Sequence, residues 1–285
     1  MRIDLHTHSS TSDGTDTPEQ LVEQAVRARL DVVALTDHDT FDGLDAAVAT
    51  GERVGVQVVR GLELSCAQDG SSVHLLGYGV DPADPALAHE MERVREGRTG
   101  RLSGVLAKLD ALGVGVSEEA VMRFVGDSPS VGRPHIADAL VEAGHVHDRT
   151  EAFDRYLYDG GPAHVHRYAI DLARGIDLVR GAGGVAVIAH PWGRGREHVL
   201  PAELLASLAA EHHLDGIEVE HQDHDRDTRH RLRVLARELD LLATGASDYH
   251  GTGKVDHDLG VNTTDPTVFA EISARMAARS VARVG

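Results

Sequence analysis

Seven short runs rich in β-branched residues, each followed by a helical stretch, constrain this chain more than any other feature. They fall at Arg2 to His6, Val32 to Thr36, Val56 to Leu62, Val73 to Val80, Val185 to Ala189, Gly216 to Glu220 and Leu241 to Gly245. Such alternation predicts an α/β fold with a largely parallel sheet and crossover helices. Val32-Val33-Ala34-Leu35 and Val185-Ala186-Val187-Ile188-Ala189 are continuously apolar, as strands covered on both faces are. A barrel or a doubly wound sheet is therefore expected. The first helix is marked by Thr17 as cap, Pro18 at the first helical position and Gln20 three residues after the cap, with Leu21, Val22, Ala25, Val26 and Leu30 at near-helical spacing.

Between the fourth and fifth runs the alternation stops. Roughly eighty residues, Asp81 to Gly160, intervene, far more than a crossover needs. Helices are expected there near Ala86 to Leu112, Ser117 to Val125, Arg133 to Glu142 and Thr150 to Tyr158. The expected organisation is a barrel of residues 1–81 and 161–285 carrying a small helical subdomain, residues 82–160, inserted over the active site.

Composition narrows the partners. The 285 residues carry a formal charge of −18, so attraction to duplex DNA or to an anionic membrane is not expected. An anionic substrate would need a local positive centre. No run approaches the roughly 18 apolar residues of a membrane helix, and Asp4 and His6 interrupt any secretory h-region. The single cysteine, Cys66, excludes an internal disulfide framework and favours a reducing compartment, with the cytoplasm expected. Histidine is the unusual component: 19 residues, outnumbering Phe, Tyr and Trp together.

Those histidines gather where the apolar runs stop. His6-Thr7-His8 places two imidazoles on one face of a strand, since residues i and i+2 point the same way. Asp37-His38 follows the second run, Glu63 the third, His190 the fifth, and Asp248 with His250 the seventh. The carboxyl ends of barrel strands are where active sites form. A hairpin turn at Asp69-Gly70 would return His74 beside Glu63, and Asp13 in the polar loop Ser9 to Gly14 can fold over the same rim. The set is His6, His8, Asp13, His38, Glu63, His74, His190, Asp248 and His250, a donor complement suited to two or three divalent ions such as Mn, Zn or Fe.

His6-Thr7-His8, Thr36-Asp37-His38, Gly61-Leu62-Glu63, Ala189-His190-Pro191 and Ser247-Asp248-Tyr249-His250, in this order, resemble the motifs of the polymerase and histidinol phosphatase (PHP) family. Ser12-Asp13-Gly14, His74 before Leu75-Leu76-Gly77-Tyr78, and Gly132-Arg133-Pro134-His135 resemble more narrowly that family's nucleotide phosphatases. The resemblance implies a distorted seven-stranded, TIM-like β/α barrel with a trinuclear metal centre. It implies that His6, His8, Glu63 and Asp248 hold a first metal, that Glu63 bridges to a second held by His74 and His190, and that Asp13, His38 and His250 hold a third. Many relatives have histidine where this chain has Asp13, which makes the third site more anionic here. Arg133 and His135 would contact phosphate from the insertion.

Adjacent divalent ions clamp phosphate oxygens and generate a nucleophilic hydroxide near neutral pH, so the expected reaction is hydrolysis of a phosphoric ester. The expected substrates are small nucleotides, either nucleoside 3′,5′-bisphosphates or mononucleotides. A 5′-3′ exonuclease on short RNA is the alternative within the same chemistry, and a noncatalytic metal-binding module is the alternative outside it. His164, His166, His221 and His224 are expected to be solvated or to support ligands, and His221 is singled out because it too follows a strand. Asp37 is expected to orient a ligand such as its neighbour His38. Cys66 is expected to be a buried structural thiol. Gly181-Ala182-Gly183-Gly184 lacks the Lys-Ser/Thr of a P-loop and reads as a helix C-cap, and Gly193 to His198 as a basic loop.

Overall fold

A computed structural model describes residues 1–126 and 128–284. In chain order the elements are β1 (Ile3–Asp4), α1 (Pro18–Arg27), β2 (Val32–Leu35), α2 (Leu44–Val54), β3 (Gln57–Gln68) and β4 (Ser71–Tyr78). There follow α3 (Pro85–Ala111), α4 (Glu118–Val125), α5 (Arg133–Glu142) and α6 (Arg149–Ala152), which runs into a π-helical turn, Phe153–Leu157. The chain then forms β5 (Ile170–Asp171), α7 (Leu172–Gly181), β6 (Val185–Ile188), α8 (Ala202–Glu211), β7 (Gly216–Glu220), α9 (Arg226–Glu238), β8 (Leu242–Gly245) and α10 (Pro266–Val284).

Seven strands in the order β1-β2-β3-β4-β6-β7-β8 make a nearly closed barrel. All neighbours are parallel except around β4, which is antiparallel to both β3 and β6. That reversal is the hairpin signalled at Asp69-Gly70, where both residues adopt positive φ (48° and 79°), as a tight hairpin turn requires. Closure is made just beyond the last strands, where Thr7 bridges Tyr249 and the His8 amide donates to the Tyr249 carbonyl at 2.8 Å. Asp4, fully buried, accepts from the amides of Ser247 (3.0 Å) and Gly260 (2.8 Å) and so straps the first strand to the segment after the last. Desolvation raises its pKa to about 6 despite those bonds.

Strand alternation divides the core. Ile3, Val32, Ala34, Leu76, Tyr78, Val185 and Val187 pack together inside the barrel with Phe269 and Ile272 of α10. Their neighbours of opposite parity, Leu75, Ala186 and Ile188 among them, face the surrounding helices. The first helix starts as expected: Thr17 Oγ1 accepts from the Gln20 amide at 3.2 Å, and Gln20 Oε1 accepts from the Thr17 amide at 2.9 Å. Cys66 is buried, and a Cβ on Gly175 would stand 2.6 Å from its sulfur, so it fills space between β3 and α7. Gly183, at φ 83°, ends α7 in the left-handed conformation of a helix terminus.

Two details depart from the sequence reading. The third strand runs on to Gln68, so Glu63 lies within β3 rather than after it. The short strand β5 was not foreseen; Ile170 pairs with Cys66 and begins two residues of parallel ladder. Residues 82–160 contain helices close to those expected and bury a separate apolar cluster that includes Leu102, Val105, Leu109, Val121, Ile136, Leu140 and Leu157.

The C-terminal helix is held by charge as well as packing. Asp215, 2% exposed, receives Arg279 at 2.6 Å, Arg275 at 3.0 Å and Arg180 at 3.2 Å. Burial would raise this carboxyl, but the Arg279 contact and its neighbours outweigh burial and hold it below its usual value. The stability it supplies is therefore full above the unfolded value of about 4 and is lost as pH falls through the lower folded value. Asp215→Ala is expected to cost about 2 kcal/mol at neutral pH, a cost discounted because the three guanidiniums keep partial access to water. Denaturant unfolding at pH 7 and at pH 3 checks this; an equal cost at both would remove the charge from the explanation.

Candidate metal centre

Glu63 is the hub of the carboxyl rim. Its carboxylate, 1% exposed, has His74 Nδ1 at 3.0 Å, His8 Nε2 at 3.1 Å, His38 Nδ1 at 3.2 Å, His6 Nε2 at 3.3 Å and His190 Nε2 at 3.5 Å. Different elements supply them. His6 and His8 follow β1, His38 follows β2, His74 lies on β4 opposite Ser65, and His190 follows β6. Asp248 and His250 arrive after β8, and Asp248 Oδ1 lies 3.5 Å from a ring nitrogen of each of His6, His8 and His250. Asp13 folds over the rim from the loop after β1, 3.3 Å from His250, 3.7 Å from His38 and 3.8 Å from His8. All nine side chains singled out in the sequence thus lie in one cluster.

The contacts within it are not hydrogen bonds satisfying one another. Glu63 Oε1, His8 Nδ1 and His38 Nδ1 are buried without a hydrogen-bond partner, and His6 Nε2 faces His8 Nε2 at 3.0 Å. Lone pairs converging in this way suit a shared cation, because an orphaned buried acceptor otherwise costs about 1–3 kcal/mol. Four groups have the spacing of metal ligands: His8, Asp13, His38 and His250; His6, His8 and Asp248; His38, Glu63 and His74; and His221, Asp248 and His257. His8, His38 and Asp248 each belong to two of them, so the geometry shares ligands more than the resemblance implied.

The pKa values of His6 and His8 are lowered by burial, but Glu63 and the neighbouring carboxylates outweigh it and raise both, so a cation binding there displaces their protons. Burial would push Glu63 up, but His38, His74 and His6 outweigh it and hold the carboxyl well below its usual range. Burial draws His38 down to about 3 and His190 to about 4, leaving both imidazoles neutral at pH 7 with a free lone pair. His190 and Asp248 are held at positive φ (29° and 54°), conformations uncommon for such residues and concentrated at functional sites.

Support comes from Glu218, which the sequence did not single out, and from His221, which it did as a residue that follows a strand. Glu218 on β7, fully buried, lies 3.3 Å from His6 Nδ1 and accepts from the His190 amide at 2.9 Å. It fixes which nitrogen of His6 faces the cluster. His221 does the same for Asp248: its Nδ1 accepts from the Asp223 amide at 3.0 Å, which directs Nε2 to Asp248 Oδ2 at 3.3 Å. Lys254 pairs with the same oxygen. Only the position of Glu218, alternating with core residues within a strand, hinted at Glu218 beforehand. Asp37 does not touch His38; it accepts from the Ser9 amide (2.8 Å), Ser9 Oγ (2.6 Å) and Ser12 Oγ (2.5 Å) and so shapes the loop that presents Asp13.

Residues 82–160 reach the rim through arginines. Arg149 grips Asp138 with two bonds of 2.6 Å and donates to the Asp13 carbonyl at 3.0 Å. Arg98, 6% exposed, bonds Asp39 Oδ2 at 2.8 Å and Ser65 Oγ at 2.6 Å. A small pocket lined by Ser12, Asp13, His38, Arg98, Gly132 and His135 lies between insertion and barrel. His135 is buried there, its Nδ1 accepting from the Gly132 amide at 3.0 Å. Arg133 instead donates through one nitrogen to Leu157 O (2.9 Å) and Asp159 (2.6 Å). His224 donates Nδ1 to Val219 O, and His164 stands edge-on to His166 with centroids 4.8 Å apart, outside the nine-residue cluster. The loop Gly193–His198 forms a kinked 3-10 turn pinned by Arg196 to Ser72 O at 2.6 Å and by Arg194 to Asp223 at 3.2 Å.

A parallel-rich barrel with imidazoles and carboxylates converging at its carboxyl rim defines a metal-dependent hydrolase. The PHP domain model matches residues 4–111. A 3′,5′-nucleoside bisphosphate phosphatase of Chromobacterium violaceum is 35% identical over 277 residues, 97% of each chain. A 5′-3′ exoribonuclease of Haemophilus influenzae is 31% identical over 249 residues, covering 87% of this chain and 90% of that one. A crystal structure assigned as a metal-dependent phosphoesterase of Bifidobacterium adolescentis superposes with a TM-score of 0.90 at 36% identity, over 96% of both chains. This chain belongs to the PHP family and is a metal-dependent phosphoesterase.

Three outcomes test the centre. Chelation should abolish phosphoesterase activity, with recovery on returning a divalent ion, and Asp248→Asn should lower activity by more than about 100-fold while the melting temperature changes little. Parallel loss of activity and fold in Asp248→Asn would make the centre structural. Glu218→Gln should weaken divalent-ion binding about 10- to 100-fold, read by metal content after dialysis against a competing chelator.

Proposed function

We propose that this protein removes a phosphoryl group from small nucleotides, nucleoside 3′,5′-bisphosphates foremost. The observation that carries the reading is the buried, orphaned set around Glu63, opening on a pocket edged by the buried cation Arg98. In this reading His6, His8, Asp13, His38, Glu63, His74, His190, Asp248 and His250 hold two or three divalent ions, Mn, Zn or Fe. Such ions, when bound, supply positive charge to phosphate oxygens and acidify a water. The chain's own part is to keep Glu63 ionised, keep His38 and His190 neutral, and aim His6 and Asp248 through Glu218 and His221. His135 lines the pocket and contacts phosphate from the insertion side. Arg133 keeps two of its three nitrogens for the same task.

Residues 82–160 act as a subdomain over the mouth and limit substrate size, consistent with the rim contacts of Arg98 and Arg149. The net charge of −18 disfavours duplex DNA as substrate. No described helix is long and apolar enough to cross a membrane, and the lone buried Cys66 fits a cytoplasmic setting. A second reading, stepwise 5′-3′ cleavage of short RNA, is favoured by the similarity to the Haemophilus influenzae exoribonuclease.

The experiment is a comparison of kcat/KM with added Mn for nucleoside 3′,5′-bisphosphates, mononucleotides and 5′-phosphorylated short RNAs. The bisphosphates should lead by at least about tenfold, the effect of one additional charged contact. Leadership by the RNAs would transfer the assignment to the second reading, and no turnover of any of them by the metal-loaded protein would leave a noncatalytic module.

A further inference from the structure

Beside the metal-ligand cluster lies a concentration of positive charge larger than contact with one phosphoryl group requires. Arg98 and Arg101 on α3, Arg133 at the start of α5, and Arg167 and Arg196 from the barrel share one neighbourhood, in which Asp39 and Asp159 are the carboxylates that pair with them among the described residues. Asp39 is taken by Arg98, and Asp159 by Arg133 at 2.6 Å with Arg196 at 4.0 Å. Arg101, 9% exposed, has no hydrogen-bond or ion-pair partner among the described residues, and Arg167 donates only to the carbonyl of Tyr168. In a chain with 18 excess negative charges, this is the opposite of what composition would place there.

The backbone shows how it is built. A Cβ on Gly97 would meet Tyr168, one on Gly104 would meet Val165, and Lys108 donates to His164 O at 2.6 Å. The segment 164–168 therefore runs antiparallel along one face of α3, and Arg101, between Gly97 and Gly104 on that face, lies against residues 166 and 167. The β3–β4 hairpin fixes the depth. Arg98 bonds Ser65, whose register partner is His74, and Arg196 bonds Ser72, whose partner is Ala67. These contacts are two residues apart along the ladder, about 7 Å, leading outward from Glu63. Burial, and next the guanidiniums of Arg167 and Arg98, press the Arg101 pKa down to about 8; burial, and next Arg98, bring Arg167 to about 10. Guanidinium keeps its proton at neutral pH, so the folded protein carries this repulsion until an anion relieves it.

We propose that Arg101 and Arg167, with Arg98, Arg133 and Arg196 around them, form a second anion subsite that takes another phosphoryl group of the same substrate, one pentose away from the group being hydrolysed. This rests on the nucleotide phosphatase reading and gives it a selectivity element: the far phosphate is recognised by guanidinium forks rather than by metal. The far group could be the second phosphate of a bisphosphate or the next internucleotide phosphate of an oligonucleotide.

Arg101→Gln and Arg167→Gln test it. In each, the kcat/KM ratio of nucleoside 3′,5′-bisphosphate to p-nitrophenyl phosphate should fall about 30-fold, through KM, with partial recovery in Arg101→Lys. A larger fall for a 5′-phosphorylated dinucleotide than for the bisphosphate would assign the subsite to an internucleotide phosphate; the reverse assigns it to a terminal one. Ratios unchanged within about twofold would overturn the subsite. A second readout needs no turnover: sulfate titrated into the metal-free protein should raise the melting temperature of the wild type more than that of Arg101→Gln/Arg167→Gln. Equal shifts would overturn the subsite even in an active enzyme. Absence of turnover with an intact sulfate difference would overturn the nucleotide reading alone.

Discussion

A carboxylate buried among five imidazoles governs this molecule. Glu63 sits at 1% exposure, and an ionised carboxylate there is tolerable only because His74, His8, His38, His6 and His190 surround it within 3.5 Å. Burial and attraction oppose one another, and attraction wins. The same crowding leaves donor atoms without partners, and that deficit makes the rim a cation site rather than a polar core. The rest of the rim follows from this arrangement: neutral His38 and His190, the left-handed backbone at His190 and Asp248, and the supporting bonds of Glu218 and His221.

The barrel holds this cluster because the ends of its parallel strands and the body of the β3–β4 hairpin meet at one rim. Closure through Thr7 and Tyr249, reinforced by Asp4, brings the segment after β1 against the segment after β8, and so His6 and His8 against Asp248 and His250. The antiparallel β4 matters as much. A parallel crossover after β3 would have carried His74 to another strand end; the hairpin instead sets it two register pairs from Glu63, on the same face. Electrostatics then change character over a short distance, from anionic donors at the rim to guanidiniums where the helices of residues 82–160 meet the hairpin. A negatively charged protein thereby presents a positive approach to a phosphoester, which shows why local field and not net charge decides what such a pocket attracts.

Much of this was legible in the chain. Apolar runs with period-two faces gave strands to within one or two residues for most elements, since burial on both faces leaves little freedom in composition. The capping box of α1 and the four helical segments between β4 and β5 were readable from local signals alone. Eight of the nine clustered side chains were readable because each follows, or lies in, an apolar run that must end at the rim, and Asp13 because its short polar loop can fold over the same rim. The two-residue β5 was not, because a strand that short has no pattern of its own and exists only by pairing with Cys66 and Ala67. That Asp37 would orient a ligand was readable, but which one was not: consecutive residues point apart, and Asp37 turns to Ser9 and Ser12, in the loop that presents Asp13.

The sequence by itself determined which groups could do chemistry and that they would share one end of a barrel, because strand periodicity and residue type are local properties. Only the tertiary structure decided the pairings that give those groups their character. Glu218 became a partner of His6 across 212 residues, His8 came to serve two ligand groups, and five arginines, two of them from α3, came to share one neighbourhood in which three of them pair with Asp39 and Asp159. These are outcomes of distance and desolvation, and neither quantity exists until the chain has closed on itself.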